Sequence, residues 1–158
     1  MKVGGHTLRE HIKLLWPLLA FITVVWALRL LLDELGILHA LVPVLSVTGA
    51  AAVAVLFAVV IIHVRGFGSY PNVVIACLLL VAWGQLMIIA AILFSVLTGT
   101  ENIFTAPEFS MPGDDPHHFR HIIGHLTFGI GGGVLTGSAF GCLILWMLRK
   151  VLPEPRPT

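Results

Sequence analysis

The amino-acid sequence predicts an all-α integral membrane protein, a single four-helix bundle that takes up all 158 residues. Composition is the first observation: 58% of the residues are hydrophobic and only 11% charged, where a soluble domain carries about 25% charged residues. The second is that the apolar residues fall into four continuous runs, each near the roughly 20 residues a helix needs to cross a hydrocarbon core. The third is that the runs are rich in Leu, Ala and Ile and do not alternate, which sets aside a membrane β-barrel. The mean hydropathy is +1.00. With nine Lys/Arg against eight Asp/Glu there is no basic excess of the kind that binds nucleic acid. The expected surroundings are a lipid bilayer, a plasma membrane or a bacterial inner membrane.

The first run, Leu14–Leu32, follows Lys2, Arg9 and Lys13. Those basic residues and the Val25-Trp26-Ala27 triplet have the outline of a secretory signal. The apolar run continues through Leu28, Leu30, Leu31 and Leu32, however, which favours a retained span. Near its far end Arg29 is expected to anchor at the interface, its stem in lipid and its guanidinium towards Asp33 one turn on. The second run, Leu41–Ile62, opens with small residues, Gly49, Ala50, Ala51, Ala52 and Ala54. The third, Val73–Leu97, has Gln85 near its middle, where a polar group acts as interhelical glue or marks a binding site.

Lys and Arg sort the connections by side, because positive loops are retained in the cytoplasm. Arg65 lies between runs two and three, and Arg149, Lys150 and Arg156 follow run four. The connections after runs one and three carry Asp33, Glu34, Glu101, Glu108, Asp114 and Asp115, with Arg120 as their one basic residue. Both termini are therefore expected on the cytoplasmic side. The loop over residues 98–120 is long, broken by prolines, and has Phe104, Phe109 and Met111 as apolar handles. It is expected to form a partly ordered extracytoplasmic lid.

The fourth run, Ile122–Leu148, contains Gly129, Gly133, Gly137 and Gly141 at intervals of four. Small residues at that spacing let two helix backbones approach closely. The ladder needs a partner, either the small-residue stretch of the second run or, from outside, a second copy of the chain or another membrane subunit.

Immediately before the ladder stand His117, His118, His121 and His125. Asp115 reads as the N-cap and Pro116 as the first turn of their helix. At about 100° per residue all four imidazoles then fall in one quadrant. His118, His121 and His125 with Asp115 make a candidate metal site for zinc or copper, imidazole being the commonest protein metal ligand. Without a metal, clustered imidazoles would repel on protonation. A weaker alternative cofactor is haem, held by His39 and His125 on the same side. His63 lies at the other membrane face and is too far away to share a ligand with His125.

Some classes are disfavoured. No Asp, Glu or Lys lies within a run, which argues against a proton-coupled pump or antiporter built on a membrane carboxylate. Cys77 and Cys142 lack a Cys-x-x-Cys partner and read as packing thiols, which argues against a thiol oxidoreductase. The function expected is a small accessory or structural subunit of a membrane complex, with a His and carboxylate face able to take a metal. The alternative is a membrane redox or metal-handling protein.

Overall fold

The computed structural model describes residues 2–37, 45–106, 115 and 118–152. The helices are α1 (Leu8–Glu34), α2 (Val47–Val64), α3 (Tyr70–Thr98), α4 (Phe119–Gly124) and α5 (Gly133–Val151), with a π-helix, His125–Gly132, between the last two. The final three segments run on as one rod of 33 residues, so four helices are long and apolar enough to cross a membrane, and the chain is a multi-pass membrane protein. A two-residue hairpin, β1 (Lys2–Val3) with β2 (His6–Thr7), precedes α1.

Each helix begins where a local signal dictates. Thr7 and Glu10 form a capping box, which starts α1 six residues before the apolar run. Pro17 sits within α1, a position tolerated in membrane helices because neighbouring groups re-satisfy the freed carbonyl. Ser46 caps α2 through its side chain on the Gly49 amide. The apolar run expected from Leu41 therefore becomes described helix only from Val47. Pro71 lies in the first turn of α3, and Gly99 in the left-handed conformation closes that helix.

The helices alternate in direction, so the start of α1, the α2–α3 turn and the end of α5 share one end of the bundle, the terminal end, while the end of α1, the starts of α2 and α4 and the end of α3 share the other. α2 and α3 make the centre, with α1 and α5 packed on either side of that pair. Leu15 and Ile22 of α1, Ile62 of α2, Leu80 and Ile92 of α3 and Leu145 of α5 are fully enclosed. The outer faces of α1 and α5 are apolar and exposed, as Trp16, Leu135 and Phe140 show.

The glycine ladder is used inside the chain, and its main partner is α3 and not the small-residue stretch of α2. A Cβ added at Gly141 would stand 2.8 Å from Val73, at Gly137 3.7 Å from Cys77, at Gly133 2.8 Å from Val81 and at Gly129 2.6 Å from Gln85. Each four-residue step back along α5 is matched by a four-residue step forward along α3, an antiparallel register held over three steps. On a regular α-helix every four-residue step over-rotates by about 40°, so such a ladder drifts off its partner. The π-helix turns less per residue because it bonds i to i+5. It thereby returns His121, His125, Gly129 and Gly133 to the side facing α3. The two cysteines are free thiols, with Cys77 buried beneath Gly137.

Two details at the far end differ from expectation. Arg29 is 7% exposed and so does not reach out to the interface. Its Nη1 donates to the Leu45 carbonyl at 2.8 Å, and the guanidinium lies 5.4 Å from the Phe104 ring centroid. The cause is the first part of the long loop, which folds back over the bundle. Asn102 donates to the Ala91 carbonyl at 2.9 Å and accepts from the Phe104 amide at 3.0 Å, burying Ile103 and Phe104. Of the expected lid, residues 107–114, 116 and 117 lie outside the described residues.

A contrast between glycines tests the register. Gly133→Leu should overpack against Val81 and lower stability by about 1–3 kcal/mol. Gly131→Leu, where a Cβ meets nothing within 4 Å, should leave it unchanged. Thermal unfolding followed by circular dichroism in detergent would read both.

Candidate functional site

Gln85 lies in the middle of α3 with only 4% of its surface exposed. It fits there because Gly129 has no side chain: a Cβ at that position would stand 2.9 Å from the Gln85 amide carbon. One step up the last helix, His125 Nδ1 lies 2.6 Å from Gln85 Oε1. One step further, His121 Nε2 lies 3.0 Å from His125 Nε2, with the rings 4.8 Å apart and tilted by 33°.

Proton counting orders this row. Gln85 Oε1 is an acceptor only, so His125 carries its proton on Nδ1 and donates it. His125 Nε2 is then an acceptor, and His121 donates from Nε2. His121 Nδ1 is left with a bare lone pair, and that atom is buried without a partner among the described residues. The row thus starts at a fixed amide in mid-membrane and ends at an unspent acceptor near the far end. A cavity of about 450 Å³ lies against it, lined by His121, His125, Gln85, Thr48, Phe128 and Gly133.

The four ligands expected for a metal do not come together. His121 and His125 touch, whereas the His118 ring is 6.4 Å from that of His121. The helix begins at Phe119, later than the sequence suggested, with His118 as the cap residue in the left-handed conformation at φ 51°. That backbone turn takes His118 off the helical quadrant. Asp115 still provides the capping carboxylate, from three residues further out. Its Oδ1 accepts from the Phe119 amide at 3.0 Å and its Oδ2 from the Arg120 amide at 2.8 Å. Desolvation raises the Asp115 pKa, but amide hydrogen bonds from Arg120, Phe119 and His121 together with the His118 charge outweigh it and hold the carboxyl below its usual value. Among the described residues no group of three or more His, Cys, Asp or Glu is gathered as a metal site. His117 and His39 lie outside the described residues, so of the expected haem pair only His125 is placed, and its ring is engaged by Gln85 and His121.

The other described histidines belong to the terminal end. His6 stacks on Phe67 at 3.9 Å. His11 is enclosed between the Thr7 carbonyl at 2.8 Å and Asn72 Oδ1 at 2.9 Å. His63 is buried near the end of α2. What residue-type reasoning missed was that Gln85 belongs with the histidines. The signal was present in the interval of four, which runs from His121 through His125 and Gly129 to Gly141 and sets the histidines on the face that meets α3.

The Asp115 cap yields a pH prediction. Because its carboxyl is depressed in the folded protein, its contribution is full above the ordinary carboxylate value of about 4 and is lost as pH falls through the folded value. Asp115→Ala should therefore reduce the hydrogen-exchange protection of the Phe119 and Arg120 amides at neutral pH, and the wild type should show that loss only in acid. No protein-family model matches the chain, and comparison with curated proteins and with solved structures yields no match either.

Proposed function

We propose that the protein is a small, non-catalytic membrane subunit that holds a transition-metal ion, zinc or copper, between His121 and His125. One observation carries the proposal: two Nε2 atoms stand 3.0 Å apart, and the outer nitrogen of one ring is fixed by a buried amide oxygen. Metal-bound histidines characteristically donate their other N–H to such an acceptor, which sets the tautomer and the ring direction. Two nitrogens at zinc distances of about 2.0–2.1 Å and a tetrahedral angle stand roughly 3.3–3.4 Å apart. The imidazoles need to part by only a few tenths of an ångström. Water in the adjoining cavity would complete the coordination.

The subunit role is supported by the scale of the exposed apolar surface on α1 and on the last helix. With the termini in the cytoplasm, as the basic residues indicate, the pair would face the extracytoplasmic side.

Metal titration of the purified protein tests the site. The wild type should bind one Cu²⁺ or Zn²⁺ per chain, and the His121→Ala, His125→Ala double variant should bind none at that affinity. Gln85→Leu, which leaves both ligands and removes only the acceptor that orients His125, should weaken binding about 10–100-fold. Equal uptake by wild type and double variant would sink the reading.

A further inference from the structure

At the terminal end of the bundle, His11 is 1% exposed and has an oxygen against each ring nitrogen. The Thr7 carbonyl lies 2.8 Å from Nδ1, and Asn72 Oδ1 lies 2.9 Å from Nε2. A carbonyl oxygen can only accept. The Asn72 amide is not free to turn its NH2 to the ring, because its Nδ2 donates to the Gly4 carbonyl at 3.2 Å, which is another acceptor. Both nitrogens of His11 therefore donate, and the ring is the imidazolium.

The same amide ties the hairpin to α3. Asn72 is fully buried between two backbone turns: a Cβ added at Gly4 would stand 2.7 Å from its amide carbon, and one at Gly68 2.9 Å. Gly4 lies between β1 and β2, and Gly68 between α2 and α3. His6 of β2 adds a stack on Phe67 at 3.9 Å, and Phe67 stands edge-on to His11 at 5.2 Å. The hairpin's own ladder is only two residue pairs, Lys2 with Thr7 and Val3 with His6, and a lone two-stranded hairpin is marginal in water. Its place therefore depends on Asn72 and on the Phe67 stack.

Loss of one proton breaks this arrangement. The Thr7 carbonyl is fixed at the cap of α1, so Nδ1 keeps its proton and Nε2 gives its own to water. The Nε2 lone pair then faces Asn72 Oδ1, acceptor against acceptor in an enclosed place, which is costly. Turning the amide over relieves that contact only by setting Oδ1 against the Gly4 carbonyl. In either position two acceptors confront each other, and the hairpin is the part least held by anything else.

We infer that residues 2–7 form a proton-controlled latch: the His11 imidazolium fastens them to α3 and the α2–α3 turn, and loss of its Nε2 proton lets them go. Charged and titratable groups at this end come from each neighbouring element: Lys2 on β1, His6 on β2, Glu10 on α1, His63 and Arg65 at the end of α2, Tyr70 on α3 and Arg149 on α5. Among the described residues His6 is the one whose ring meets that of His11, at 6.3 Å. The Glu10 carboxylate is spent on the Thr7 amide and hydroxyl at 2.6 and 2.7 Å. The docked hairpin binds one more proton than the released one, so docking is favoured in acid and lost as pH rises. The latch lies at the opposite end from His121 and His125 and does not rest on metal binding.

Nuclear magnetic resonance of the full chain in phosphatidylcholine nanodiscs, with nitrogen-15 in its histidines and glycines, tests the latch between about pH 5 and about pH 9, around the ordinary imidazole range. At the acid end both His11 ring nitrogens should carry protons and the Gly4 amide should show one resonance, the docked one. As pH rises, Nε2 should lose its proton and Gly4 should move to a second resonance with the same midpoint. Asn72→Leu should give the released Gly4 resonance at every pH, with helix content by circular dichroism unchanged. His6→Phe keeps the stack on Phe67 and removes the neighbouring imidazole, and it should retain the Gly4 transition. A His11 ring with a single proton while Gly4 stays docked, a Gly4 resonance that does not change with pH, or loss of the transition in His6→Phe would each overturn the inference.

Discussion

The structure depends on the close approach of the last helix to α3. In lipid there is no hydrophobic drive to press two helices together, so contact must come from backbones that can come near enough for van der Waals packing. Gly133 and Gly141 permit that approach over Val81 and Val73, and nothing larger than glycine fits at either place without displacing its neighbour. The same constraint makes the site. Gln85 can lie across the interface and reach His125 only because Gly129 leaves the space. Packing and polar chemistry are thus two stretches of one seam, with valines and a thiol at the terminal end giving way to an amide and imidazoles towards the other.

A seam of this kind needs its residues to stay on one side of a long helix, and an undisturbed α-helix does not hold a four-residue interval there. The π-helix at His125–Gly132 resolves the conflict. It falls in the glycine-rich stretch that holds Gly129, Gly131 and Gly132, and it joins the α-helical start, with His121, to the α-helical remainder, with Gly133 to Gly141. Irregular helices of this type are enriched at functional sites. Here the irregularity has an identifiable task, which is to bring two histidines and two glycines into line with α3.

The membrane class and the four spans were legible from composition and run length alone, because a hydrocarbon solvent leaves so little freedom. The glycine interval was equally plain, and so was the carboxylate at Asp115 as a cap. The partner of the ladder was not: α2 has the smaller residues, but a glycine face matches well with the branched side chains of Val73 and Val81, which fill what the glycines vacate. The histidine quadrant failed at one residue for a local reason. A regular angle per residue presumes that the helix has already begun, and the left-handed turn at His118 comes before its start. Arg29 was misjudged because its exposure depends on a loop seventy residues later in the chain, whose Phe104 covers it.

The hairpin at the start of the chain has a consequence for biogenesis. Gly4 and His11 are both held by one side chain from α3: Asn72 donates to the Gly4 carbonyl at 3.2 Å and presents its Oδ1 to the His11 ring at 2.9 Å. During synthesis α1 is made long before Asn72 exists. Until the third helix arrives, the enclosed imidazole at the head of the first helix has to find its second partner in water. The packing of the first helix's leading turn is therefore complete only when the third helix stands beside it.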